Sequence, residues 1–306
     1  MKPSDNIKEI REMLEQKEGR KLTDEEFSKK LFEFIRTMNE YDDEDEEVTE
    51  QTAQNVDDFL YLADTASTEK KARYFVKKAL ALDPDNIEAK RQLVEIGAKS
   101  LDDILNGYKR IIFETEKQFE ADGYFNLTGI GHFWEIWETR PFMRLLSGYA
   151  ELLANTGKVK LAIKQCEYML YLCENDNLGE RHRLMHLYAY IEDVEAAEKL
   201  ISKYETEKDT AMMALPLSVL YYKTGNMRKA KQYLKNLAKS NGDTRVFINE
   251  MASGELKDFL DDEEEIEMYR PGSYEEFLMA FQEYTFFYTS NLYYFIWASS
   301  QLKKMK

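Results

Sequence analysis

The chain has 306 residues and sets 58 Asp and Glu against 42 Lys and Arg, a formal charge of −16. That balance opposes non-specific nucleic-acid binding, which depends on Lys and Arg to neutralise phosphates, and opposes attraction to anionic membranes. With 43% hydrophobic residues the chain can bury a sizeable core, while 13 Gly and 5 Pro leave little material for β turns, so an all-α fold is expected.

The first residues, M-K-P-S-D-N-I-K-E-I, lack the apolar run of a signal peptide, and no stretch approaches the ~20 apolar residues of a membrane span, which together predict a cytoplasmic protein. Residues 1–40 read as a helical hairpin. Ile7, Ile10 and Leu14 stripe its first helix; Phe27, Leu31, Phe34, Ile35 and Met38 stripe its second, with Thr23 and Glu26 as a capping box. The segment G-R-K-L-T-D-E-E-F-S-K-K-L has the look of the first helix of a helix-turn-helix, but no recognition helix follows. Residues 41–51 form an acidic linker whose like charges repel and stay solvated. It lacks the D-x-D-x-D-G spacing of a calcium loop.

From 52 to 254 the chain reads as helical repeats. P-F-M-R-L-L-S-G-Y-A-E-L-L-A-N-T-G-K-V-K-L-A, R-H-R-L-M-H-L-Y-A-Y-I-E-D-V-E-A-A and L-P-L-S-V-L-Y-Y-K-T-G-N-M-R-K-A superimpose Ala162, Ala197 and Ala230, 35 and 33 residues apart. Those spacings bracket the period of about 34 that defines tetratricopeptide units, antiparallel helix pairs packed through small residues. An earlier unit places Ala72, Val76, Ala79 and Pro84 in the same slots, and Ile104 occupies the alanine slot of a weaker one. The predicted architecture is a tetratricopeptide-like α-solenoid of about five helix pairs.

The step from Ile104 to Ala162 exceeds one period, so an insertion is predicted near 114–140. Gly123, Gly129 and Gly131 interrupt its helical pattern. Tyr124, Phe125, Phe133, Trp134 and Trp137 are too many rings to leave in water, so the loop is expected to fold back onto the helices. Pro141 suits the first turn of the next helix, capped by Thr139 or Arg140. Residues 255–306 read as an acidic segment followed by aromatic helices that cap the end of the stack, with Ser273 and Glu276 as a second capping box.

The segment G-H-F-W-E-I-W-E-T-R-P-F-M-R, followed by E-N-D-N-L-G-E-R, resembles bacterial tetratricopeptide-repeat proteins that carry G-H-F-W-x3-E-T-R-P-Y-M-R and N-P-N-D-N-x-G-x-R. More distantly the chain is similar to the suppressor-of-tumorigenicity repeat family. Gly131, His132, Phe133, Trp134, Glu138, Thr139, Arg140, Pro141, Met143, Arg144, Asp176, Asn177, Gly179 and Arg181 match. Phe142 replaces the usual Tyr, and Glu174 stands where Pro is usual. The likeness extends from Thr52 to Trp297; it implies the repeat architecture and brings no activity.

In such repeats the slots 15 and 11 residues before the alanine face the concave groove. Those slots hold Ser147 and Glu151, then His182 and His186, then Leu215 and Val219. A peptide-binding groove is therefore expected to run through Glu151, Asn155, His182, His186, Tyr190, Tyr222 and Lys223. These are not the Lys and Asn with which some family members hold a C-terminal carboxylate. His182 and His186 have the H-x3-H spacing of metal ligands, but no third ligand is evident. Glu135 and Glu138 are a carboxylate pair of the kind that adjacent helical turns supply by chance. Cys166 and Cys173, about 10 Å apart on one helix, are too distant to bridge and read as core. No nucleotide motif or catalytic triad is present, so no cofactor and no catalysis are expected. The function expected is a non-catalytic scaffold that holds a protein or peptide segment and binds neither nucleic acid nor membrane. A peptide-sensing regulator acting on a transcription partner is the alternative, and the oligomeric state stays open.

Overall fold

The helical periodicities are realised as helices. The computed structural model of the protein describes residues 11, 15, 20–23, 27, 30, 48–126, 128–256, 266 and 268–305, and among them there is no strand, only an isolated bridge between His132 and Cys173. Most of the expected 1–40 hairpin, the linker over 41–47 and the acidic stretch 257–265 lie outside the described residues. The chain divides into two compact units, residues 1–82 and 83–306, a division that falls inside the stretch 52–254 read above as one array.

In the first unit, α1 (Val56–Asp64) opens with a reciprocal cap: Asp58 N donates to Asn55 Oδ1 at 2.8 Å, and Asn55 N donates to the Asp58 carboxylate at 3.2 Å. Helix α2 (Glu69–Leu82) stops just before Asp83-Pro84, since a residue preceding proline is steered out of the helical region. The two helices bury Phe59, Leu60 and Ala63 on one side and Ala72, Phe75, Val76 and Ala79 on the other.

The second unit begins with α3 (Ile87–Gly97) and α4 (Leu101–Ala121). Then come α5 (Arg140–Asn155) with α6 (Val159–Leu172), α7 (Glu180–Tyr190) with α8 (Val194–Lys203), and α9 (Ala211–Lys223) with α10 (Met227–Ser240). Short polar connections make each of these last three a contacting pair, and Asp193 and Asn226 cap α8 and α10 through their side chains. Ala162, Ala197 and Ala230 are all fully buried in the second helix of their pair, where a larger side chain would force the helices apart. Cys166 and Cys173 are buried and unbridged.

The loop before α5 folds back, as its rings require. Phe133 is fully buried and stacks on Phe125 at 5.3 Å, and its backbone N–H reaches Leu172 O at 3.0 Å while Glu174 N reaches Gly131 O at 2.9 Å. Those bonds bring G-H-F-W beside E-N-D-N. Gly129 has no alternative here, because any Cβ would run into the carbonyl of Tyr124. Trp137 is the correction: it is 74% exposed, because Phe133, Phe125 and Tyr124 already fill the space under the loop. Its ring is covered on one side by the Arg140 guanidinium, 4.9 Å away.

After α10 come α11 (Thr244–Ser253), α12 (Tyr274–Glu283), α13 (Thr285–Thr289) and α14 (Leu292–Leu302). The last pairs with α11, where Ser299 Oγ donates to Asn249 Oδ1 at 2.7 Å. Helices α12 and α13 do more than end a stack, for they lie against α9 and α7. The capping box expected at Ser273 and Glu276 does not form. Glu276, 1% exposed, instead accepts from Gly272 N and from Ala211 N, both at 2.8 Å, joining the start of α12 to the start of α9. Among the described residues no helix is long and apolar enough to cross a membrane.

Candidate functional site

The start of α7 is built by Asp176, whose carboxylate accepts from Glu180 N at 2.8 Å, Arg181 N at 3.0 Å and Arg181 Nη1 at 2.8 Å. Helix N-termini leave such N–H groups without partners, and a carboxylate there also meets the favourable end of the dipole. Asp176 holds φ +48°, a left-handed value that Asp tolerates, and Gly179 holds φ +72°, a conformation that a residue with a Cβ rarely adopts. This N-D-N-x-G turn sets Glu180, His182 and Arg183 on the first turn of α7.

Glu180 is 2% exposed and fully engaged. Ser147 Oγ on α5 donates to its Oε1 at 2.5 Å, Cys166 Sγ on α6 donates to its Oε2 at 3.3 Å, and Arg183 Nη1 donates to both oxygens at 2.6 Å. Burial, then the neighbouring carboxylate, pushes the Cys166 thiol well above its ordinary pKa, so the sulfur stays protonated as the donor. Arg183 places Nη2 4.0 Å from the Glu151 carboxylate. His182 Nε2 lies 2.9 Å from Glu207 Oε2, and Arg181 Nε holds the other oxygen of Glu207 at 2.9 Å. Partial burial works to raise the Glu207 pKa, but the hydrogen bonds from His182 and Arg181 outweigh it and bring it down to about 2.

His186 requires a correction. The sequence register opens it to a groove; the structure buries it completely under the aromatic residues of α13 and its approach. Its ring stacks on Tyr284 at 4.0 Å and meets Phe287 edge-on at 5.1 Å. Nδ1 lies 2.8 Å from His182 O, a carbonyl that can only accept, so Nδ1 carries the proton and Nε2 accepts from the Tyr288 hydroxyl at 3.1 Å. Burial holds its pKa at about 3, so the ring is neutral. Leu215 and Val219 are likewise fully buried, and Tyr294 OH donates to Ser218 Oγ on α9 at 2.7 Å.

The predicted residues thus fall into separate places. Glu151 and His182 come together around Arg183. Tyr190, Tyr222 and Lys223 form a second group beyond His186: Lys223 Nζ donates to Tyr190 O at 2.6 Å, Tyr190 meets Phe286 at 5.5 Å, and Tyr222 meets Trp297 at 5.0 Å. Asn155 is exposed on the last turn of α5 and joins neither group.

Between α5, α7, α9 and α12 a cavity of about 250 Å³ stays open, lined by Ser147, His182, Arg183, Tyr269, Glu283 and Tyr284 with flanking apolar groups. Arg183, Glu283 and Tyr284 were not expected as site residues. Arg183 had a signal, since it stands three residues after Glu180 on the helix of His182 and His186. Glu283 and Tyr284 had none, because nothing local says that α12 crosses to α7.

Neither the known protein-family models nor the curated proteins give a match to this chain.

Proposed function

We propose that this chain is a non-catalytic, tetratricopeptide-like α-solenoid that holds a peptide segment on the concave face of its helix pairs. The observation that carries the reading is the polar cavity at the start of α7, lined by His182 and Arg183, with Glu151 4.0 Å from Arg183, while much of the rest of that face is covered. The three buried alanines, 35 and 33 residues apart, support the repeat architecture. A core region has no structural need for an open, mostly polar hollow; a site that orients a polar ligand does. The peptide would lie along the exposed side of α5, past Glu151 and Asn155, and enter the hollow beside His182. The groove is therefore read as shorter than the register alone suggests, with His186 contributing to stability and Tyr190, Tyr222 and Lys223 left outside it.

The test is a selection of short random peptides against the folded chain, followed by direct titration of those enriched. Capture of a related set of peptides, weakened by Glu151→Lys, supports the reading. Failure to enrich any peptide, or binding indifferent to Glu151→Lys, contradicts it.

A further inference from the structure

The charges around the cavity are unbalanced. Glu180 and Arg183 neutralise one another, and His182 is bonded to Glu207, but Glu283 lines the wall with no ion-pair partner among the described residues. Glu151 adds a second carboxylate beside Arg183, only weakly paired at 4.0 Å and 57% exposed. The α7 N–H groups that could attract an anion already serve Asp176. An anion entering here would face the Glu283 carboxylate with no free donor turn to hold it. A cation would meet Glu283 directly.

The remaining wall suits the stem of such a cation. Met212 and Met279 supply flexible thioether surface, and Tyr269 supplies a ring whose face attracts positive charge. At about 250 Å³ the hollow has room for roughly eight waters at their liquid volume, enough to admit one long side chain in their place. Lysine and arginine combine an apolar stem with a charged head, and the hollow offers a little apolar surface to the stem and mostly polar surface to the head.

On the footing of the peptide-binding reading above, we propose that the cavity is an anchor pocket for a lysine or arginine side chain of the bound peptide. Its cationic head meets Glu283, and the stem lies beside Met212 and Met279. An acidic chain of charge −16 draws such a basic partner in from solution, and salt weakens that attraction.

The experiment selects short random peptides against the full chain and against its Glu283→Gln variant in parallel, then titrates one enriched synthetic peptide. The pocket predicts a Lys or Arg at one constant position in the enriched set. Replacing that residue by norleucine, or using Glu283→Gln protein, should weaken binding about tenfold or more, because a hydrogen-bonded charge is lost. Glu283 is exposed, and glutamine keeps an acceptor for the hydrogen bond it shares with Tyr284, so the variant should melt close to the wild type; if it does not, the norleucine peptide decides alone. Enriched peptides with no basic position, or a norleucine peptide that binds equally well, would overturn the anchor pocket and leave the peptide-binding reading standing. Butylamine alone binding as tightly as the peptide would overturn the peptide as the source of the cation. Enrichment of nothing would sink both.

Discussion

At the scale of single residues, His186 has the clearest measurable consequence. Its folded pKa of about 3 lies below the ordinary 6.5, so its contribution to stability is complete above pH 6.5 and is lost as the pH falls toward 3. The slope should not exceed about 1.4 kcal/mol per pH unit. Tyr284 and Tyr288, which face it, are pushed upward by burial and stay neutral throughout that window. Glu207 loses its contribution only between 4.5 and about 2, so it does not account for a decline in stability already visible between pH 6.5 and 5. Urea titrations across that range should show the decline in wild type and not in His186→Gln. Glu276 gives a second test. Replacing it with Ala strands the buried Ala211 N–H and should cost about 1–3 kcal/mol by the same titration, whereas an ordinary exposed Glu on a helix would cost almost nothing.

Among the elements, the loop and the C-terminal helices behave differently from what their composition suggests. Phe133→Ala should destabilise by about 3–5 kcal/mol, and Trp137→Ala by no more than about 0.5 kcal/mol, because one ring is fully buried and the other 74% exposed. Comparable losses for the two would mean that the loop packs otherwise. Removing residues 273–306 uncovers His186, Ser218 and Phe247, so the shortened chain should aggregate or melt far below the intact protein. A truncated chain that folds and melts like the parent would show that α12–α14 are an appendage. Local signals made much of this legible: the alanine spacing located the three helix pairs, Pro141 the start of α5, and the ring count the folded loop. Which of five aromatics stays outside is settled by how Phe125 and Phe133 pack, and that is not written in their spacing. The box at Ser273 failed for a similar reason, since Glu276 found a partner 65 residues away in sequence.

Across the whole molecule, the face that the repeat register marks out is largely occupied by the chain's own rings. Tyr284 on His186, Tyr294 on Ser218 and Trp297 beside Tyr222 close it, and the polar hollow at His182 and Arg183 remains. Periodicity placed His182 and His186 on that face but could not reveal its occupant, because the covering helices lie about 100 residues downstream and join it only through tertiary packing. The measurement that tests this arrangement most directly is carbethoxylation of the three histidines in the folded protein, followed by mass spectrometry. His132, with 52% of its side chain exposed, should react fast, His182 at 13% should react slowly, and the buried His186 should react only on unfolding. Modification of His186 in the folded chain at a rate close to that of His132 would contradict the account, for it would mean that the face stands open.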